Sequence, residues 1–216
     1  MRADAPSQNF TARRVRDLPF TPGVIPGGST IHVEEAGGLK DVYIYDCICN
    51  HSILASGPTD MVIRNNVVEG QILGNLDTNL TIANNRVFSR PAPMECGHLG
   101  ESSGQSTALI AASFGTGLTV FNNTLTHRAN CDPRWNKQVG IQLLGGVESY
   151  PIESDVLIHG NIFGFEGVQA NSTLIDLSGC KNVIVRDNDF GPSGGTDADH
   201  TRTSRCANCS FGKPSG

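Results

Sequence analysis

A short phrase recurs six times along this chain, with a period near 20 residues where no insertion intervenes. In each copy two apolar residues flank a variable one, an Asn follows three residues later, and another apolar residue comes two positions after it. The first copy has Cys47 where the other five have Asn. A repeat of this length predicts a solenoid, in which each copy stacks on the next. The copies are Val42–Cys49, Met61–Val68, Leu80–Val87, Leu118–Leu125, Val156–Phe163 and Val183–Phe190.

The alternation within each copy is the two-residue period of a β-strand with one buried face. The Asn falls where this alternation breaks, at a bend that faces inward. A buried amide must have hydrogen-bond partners, and stacked copies can supply them to one another and to the turn backbone. We therefore predict an inward ladder of amide side chains at Asn66, Asn85, Asn123, Asn161 and Asn188.

A second apolar pair precedes each Asn, usually by thirteen residues, as Ile53 and Ala55 precede Asn66. Each turn of the chain then contains about three strands, joined by bends rich in Gly and Asn. This arrangement is a parallel β-helix, a single-stranded solenoid, of about six coils. We expect the coils to span residues 29–191, between an extended N-terminal arm or cap (1–28) and an extended C-terminal tail (192–216).

The phrase resembles the right-handed parallel β-helix superfamily typified by pectate lyases, polygalacturonases and phage tailspikes. The resemblance covers roughly residues 29–191 and rests on the repeated phrase alone. It implies an all-β fold and right-handed coiling. It implies little about activity, because function depends on sites added to a fold.

Composition narrows the classes of partner. The 216-residue chain has a formal net charge of −5 with both signs interspersed, which argues against nucleic acid. No apolar run approaches the length of a membrane span, and the N-terminus lacks the apolar region of a signal peptide. We expect a protein made for the cytoplasm, exported by an unconventional route or released by lysis.

The seven cysteines allow several interpretations. Cys47 and Cys49 occupy inward positions and are expected to act as small core residues. Cys96 and Cys131 lie in insertions of successive coils and could be joined. The Cys206-Ala-Asn-Cys209 stretch fits a redox pair, half a zinc site or a small loop closure, and a single such pair is weak support for zinc. We expect neither a metal nor another cofactor.

Three insertions leave the same corner of successive coils and should form one wall, where loops carry function. They are residues 89–106, 127–138 and 164–172. The wall would present Trp135, Arg134 and His98 to a ligand, beside Gln142 on the following strand. A polysaccharide is the ligand that such a groove would suit.

The same wall suggests catalytic carboxylates, because glycosidases use two across the scissile bond and lyases need a base near an acidic C–H. The candidates are Asp176, Glu95, Asp197 and Asp199. The stretch from Gly195 to His200 is faintly similar to a phrase of polygalacturonases. It follows the last coil, however, and the further motifs of that family are missing, so we treat the similarity as coincidence.

Outward-facing aliphatic residues favour association instead. Val62, Leu157 and Ile184 fall on one strand face with Phe121 nearby, and Leu54 and Leu73 fall on another. We predict a structural, self-associating protein, most simply a homotrimer within a phage virion as a decoration, spike or tail-associated component. It would contact neighbouring particle subunits, and surface glycans are a further candidate partner. The alternatives are an extracellular lyase or hydrolase acting on an acidic polysaccharide, and a glycan-binding module without catalysis.

Overall fold

The structure is a computed structural model that describes residues 2–3, 9–17, 29–34, 38–89, 108–128, 139–145, 153–166 and 174–212. Regular structure in these ranges is almost entirely β-strand. The exceptions are a 3-10 turn at Gly191–Ser193 and helix α1 at Asp197–His200. Within the described ranges, no helix has the length or the apolar character needed to cross a lipid bilayer.

The strands, numbered in chain order, form three sheets in which every neighbouring pair is parallel. Sheet A contains β1 (Arg2–Ala3), β3 (Ser29–Glu34), β6 (Ser52–Ser56), β9 (Ile72–Asn75), β12 (Ile110–Ser113), β15 (Ile141–Leu144), β18 (Ile175–Ser178) and β20 (Thr201–Ser204). Sheet B contains β2 (Thr11–Arg13), β4 (Lys40–Tyr45), β7 (Thr59–Arg64), β10 (Thr78–Ala83), β13 (Thr119–Phe121), β16 (Glu153–His159), β19 (Cys180–Arg186) and β21 (Ala207–Phe211). Sheet C contains β5 (Ile48–Cys49), β8 (Val67–Glu69), β11 (Arg86–Phe88), β14 (Thr124–Arg128) and β17 (Ile162–Glu166).

From β3 to β17 the chain passes through sheets A, B and C in turn and then returns to sheet A. Pairing is in register, so that Ile63 lies beside Ile82, and Ile82 beside Val120. These inward residues are fully buried and belong to one continuous aliphatic core. An all-β chain with three all-parallel sheets fits the predicted parallel β-helix.

The bends depend on backbone that Asn, Asp and Gly adopt most readily. Asp60, Asn79 and Asn182 each precede an inward residue of sheet B and have φ between +55° and +56°. Short polar side chains tolerate this left-handed conformation because they can hydrogen-bond locally. At the same bend the side chains also bond between coils, with Asn79 Nδ2 donating to Asp60 Oδ1 at 2.8 Å. The bend chemistry therefore explains the Asn-rich sequence.

Strand pairing continues on both sides of residues 29–191. At the N-terminal side β1 pairs with β3 and β2 pairs with β4. At the C-terminal side β20 pairs with β18 and β21 pairs with β19. Parts of both terminal segments thus lie as strands against the ends of sheets A and B, where they cover backbone edges that would otherwise be exposed.

Candidate functional site

The predicted ligand wall falls largely outside the described residues. Glu95, His98, Arg134 and Trp135 lie there, as do Cys96 and Cys131. Those predictions therefore stay predictions. The structure does describe Gln142, Asp176, Asp197, Asp199 and the five repeated Asn residues.

Asp176 lies on the outward face of sheet A, in register with Gln142 and Arg202 on the two neighbouring strands. It is only 5% exposed. Its Oδ1 accepts a hydrogen bond from Arg202 Nε at 3.1 Å, and its Oδ2 accepts bonds from Arg202 Nη2 and from Gln142 Nε2. Both oxygens are occupied in a forked ion pair, so Asp176 can act as a base only if Arg202 moves away.

Asp197 and Asp199 belong to helix α1 and its cap. Asp199 Oδ2 accepts from the backbone N–H and the hydroxyl of Thr196, and these bonds lower the pKa of the Asp199 carboxyl. Asp197 is 1% exposed, and its Oδ1 accepts from Asn188 Nδ2 at 2.7 Å. Burial raises the pKa of Asp197 despite that bond. The two carboxylates have separate local roles in this structure.

The repeated Asn residues form a continuous hydrogen-bonded column. In the middle of it, Asn85 Nδ2 and the Asn85 backbone N–H both donate to Asn123 Oδ1, at 3.0 and 2.9 Å. Asn123 repeats both bonds to Asn161. Each amide also donates to a backbone carbonyl, as Asn123 Nδ2 does to Ile82 O at 2.9 Å. We call Asn66, Asn85, Asn123, Asn161 and Asn188 the Asn column.

Groups other than Asn occupy the two ends of this column. At one end the backbone N–H of Cys47 donates to Asn66 Oδ1 at 2.9 Å. At the other end the last amide, Asn188, donates to Asp197. A carboxyl oxygen suits that place because the column runs as a chain of donors and must finish on an acceptor. This is a structural role for Asp197 that the sequence did not reveal.

An acidic pair that sequence reasoning missed lies in the interior at the corner between sheets A and B. Asp77, Gly115 and Glu153 occupy the same position of successive coils, as the bridges of Thr116 to Thr78 and Ser154 show. Asp77 is 4% exposed and Glu153 is 1% exposed. Since Gly115 has no side chain, the two carboxyl groups face one small void. The sequence signal that could have revealed the pair is the acidic side chain of Asp77 and Glu153 at a position that is apolar in other coils.

The two members of this pair are held differently. Glu153 Oε2 accepts from the Gly115 N–H at 2.7 Å. Neither Asp77 oxygen has a hydrogen-bond partner, and the void is too small to hold a water molecule. Burial first and then the charge of Glu153 raise the pKa of Asp77 to about 8; the Asn75 and Gly57 amides lower it by less, without reaching hydrogen-bond geometry. Burial also raises the pKa of Glu153. Both shifts favour the protonated carboxyl groups, and the site is closed to a substrate.

His127, in the second predicted insertion, is also an interior residue. It is 5% exposed, and its Nε2 donates to Val139 O at 3.2 Å. The ring stacks on Phe165 with centroids 6.1 Å apart. Burial lowers the pKa of His127 to about 4, so the imidazole is neutral at physiological pH. His127 therefore links neighbouring coils through its hydrogen bond and its ring contact.

One continuous surface feature is an outward column on sheet B. Its members are in register on six neighbouring strands, and none of them is charged. Ile184 is 47% exposed and Tyr43 is 40% exposed. We call this set the sheet B column; it consists of Tyr43, Val62, Thr81, Thr119, Leu157 and Ile184.

Neither a metal-binding cluster in the described ranges nor a match to known proteins helps to define the site. Across the described part of the chain, no group of three or more His, Cys, Asp or Glu residues is arranged to hold a metal ion. No protein-family model matches the sequence, and no curated protein matches it significantly.

Proposed function

We propose that this chain is a right-handed parallel β-helix of about six coils, similar to the superfamily of pectate lyases and phage tailspikes, and that the Asn column is its inward ladder. Three parallel sheets visited in turn support the coil, and the bonds from Asn66 through Asn188 support the ladder. Because an unpaired buried amide costs about 1–3 kcal/mol, the column favours a single register of stacking.

In this proposal the protein is a structural, self-associating component of a particle, most simply a phage virion, as a decoration, spike or tail-associated subunit. The observation that carries the proposal is the sheet B column. An uncharged column of residues in register, with half-exposed Ile184 and Tyr43 at its ends, is suited to burial against a similar column. A homotrimer of parallel rods would cover this column on every subunit.

Light scattering on the purified chain tests the association. A homotrimer has three times the mass of the 22.9 kDa chain, and we expect that value across a range of concentrations. A monomer at all concentrations would contradict self-association through this face. Copurification with particle subunits from the native source would then identify the assembly.

A second candidate function is cleavage of an acidic polysaccharide. The observation that favours it is the row of Gln142, Asp176 and Arg202 on sheet A, where a half-exposed guanidinium lies beside a carboxylate. Lyase chemistry needs a cation near the uronate and a base near the C–H bond. Incubation with a panel of uronate polymers tests this candidate. Activity of the natural chain that disappears in the Asp176→Asn variant would establish this function. If the natural chain released neither unsaturated products nor new reducing ends, this candidate would be ruled out.

A further inference from the structure

Three thiols meet at the C-terminal end of the stack. Cys180 begins β19, Cys206 directly precedes β21, and Cys209 lies within β21. All three are free thiols in the structure. Because Lys181 pairs with Ala207, Cys206 lies next to Cys180 on the neighbouring strand. Cys180 and Cys209 each interact electrostatically with Cys206, which lies between them in this group. The thiols themselves donate to backbone carbonyls, as Cys206 Sγ does to Leu177 O at 3.5 Å.

The bend between Cys206 and Cys209 turns both side chains the same way. Asn208, between them, has φ of +56°. The equivalent bend at Asp60 has a similar φ of +56° and is flanked by Pro58 and Met61, both of which are buried. Residues three apart across this bend therefore both face inward. At the last bend these two positions are cysteines, so both thiols face the same side of the bend, against the core.

The three thiols differ in access. Cys180 is 1% exposed, and its burial raises its pKa strongly, so it is protonated and shielded from solvent. Cys206 and Cys209 are only partly buried. The pKa of Cys209 is raised to about 11, by partial burial first and then by the neighbouring Cys206 thiol. A dissolved reagent thus meets Cys206 and Cys209 before Cys180, and thiolate access controls cysteine reactivity.

We propose that Cys206 and Cys209 are a thiol–disulfide exchange site that takes small-molecule disulfides such as oxidised glutathione. One of the two thiolates attacks the small disulfide, which releases one glutathione thiolate and leaves a mixed disulfide on the protein. The other cysteine then loses its proton and attacks the protein sulfur of that mixed disulfide. This step releases the second glutathione. Two protein thiols are oxidised to one disulfide, one glutathione disulfide is reduced to two thiols, and the cysteine protons end on the released thiolates.

Oxidised glutathione, added to the reduced full-length chain in mildly alkaline buffer, is the probe. We expect the peptide containing residues 206–209 to lose the mass of two hydrogen atoms and to carry no glutathione. Treatment with a reductant should restore the two hydrogen atoms. Cys180 should remain alkylatable after unfolding. Peptide mapping separates this pair from thiols elsewhere in the chain.

Three single substitutions distinguish the pairings, with circular dichroism as the check on folding. In the Cys206→Ser and Cys209→Ser variants the exchange should stop at the mixed disulfide, with glutathione attached to the cysteine that remains of the pair. The Cys180→Ala variant should form the same disulfide as the natural chain. A disulfide linking Cys180 to Cys206 would overturn the proposal. So would a natural chain in which residues 206–209 keep both thiols in excess oxidised glutathione.

Discussion

At the scale of single residues, Asp77 is the least satisfied buried side chain among the residues that the structure describes. Its carboxyl group is buried beside Glu153, its two oxygens lack hydrogen-bond partners, and Gly74 leaves it just enough room. Burying such a carboxyl group costs much less free energy when it is protonated than when it is ionised. The pair therefore couples the stability of the central coils to pH.

The sign of this coupling follows from the two pKa values. In the folded protein Asp77 keeps its proton up to about pH 8, whereas its ordinary pKa is 3.8. Between these values the folded state binds more protons than the unfolded state, so stability falls as pH rises. At about 1.4 kcal/mol for each pKa unit, the loss is on the order of 6 kcal/mol at most.

The substitution Asp77→Asn removes the ionisable group while keeping its shape. We expect its free energy of unfolding to exceed that of the natural chain at pH 8 and to match it closely at pH 4. Denaturant melts at several pH values measure this difference. Asp60→Asn, at an exposed bend one coil earlier, is the control and should leave the pH profile unchanged. A natural chain as stable at pH 8 as at pH 4 would show that Asp77 is not buried as described.

At the scale of elements, the Asn column and the parallel sheets depend on each other. Each amide bonds to the next coil through its oxygen and to strand carbonyls through its nitrogen. A shift of one residue in any strand would move the Asn away from its neighbours and turn apolar residues outward. The column consequently penalises wrong registers that the aliphatic core alone would penalise less.

Asn123→Ala tests this coupling. The substitution removes the acceptor of the Asn85 N–H and Nδ2, and it removes the donor to Asn161 and Ile82. At about 1–3 kcal/mol for each buried group left unpaired, we expect a loss of about 3–5 kcal/mol in the free energy of unfolding. The exposed neighbour Asn122 has φ of +54°, which Gly adopts easily, so Asn122→Gly should change stability by less than about 1 kcal/mol. Equal effects of the two substitutions would contradict the column.

Sequence periodicity predicted the strands between β3 and β19 because aliphatic residues mark their inward positions. It did not predict β2 and β21. β2 has Ala12 as its inward residue and follows Phe10, and β21 has Cys209 and Phe211, none of which repeats the aliphatic phrase. Parallel pairing with an existing sheet stabilises these strands, and that tertiary effect leaves no periodic signal.

The candidate sites were less predictable than the strands. Asp176 was named from its outward position, but its partner Arg202 comes from a strand beyond the predicted coils. The pairing of Asp77 with Glu153 depends on Gly115 lying between them, and residues separated by 76 positions cannot be matched without the register of the coils. The spacing of residues in the sequence reveals the repeat. It does not reveal which side chains meet at a site, because that depends on which coils become neighbours.

At the scale of the whole molecule, the surface of sheet B governs the proposed assembly. Ile184 and Leu144 are aliphatic residues of similar exposure, 47% and 40%, on sheets B and A respectively. If sheet B is the contact face, a charge on it must be desolvated when subunits meet, whereas a charge at Leu144 stays in water.

The matched substitutions are therefore Ile184→Lys and Leu144→Lys. We expect Ile184→Lys to lower the mass measured by light scattering to that of a single chain, or to weaken association at least tenfold, with its β-sheet circular dichroism unchanged. Leu144→Lys should associate like the natural chain. If both variants kept the natural mass, the sheet B column would not be the contact face.

Hydrogen exchange of the Asn side-chain amides, followed by NMR, examines the stacked coil itself. The amides of Asn66, Asn85, Asn123 and Asn161 should exchange orders of magnitude more slowly than those of the exposed bend residues Asn65, Asn84 and Asn122. Contacts between the amide protons of Asn85 and those of Asn123 should also be seen. Fast exchange at Asn85 and Asn123, equal to that of their exposed neighbours, would mean that the coils do not stack about a buried amide column.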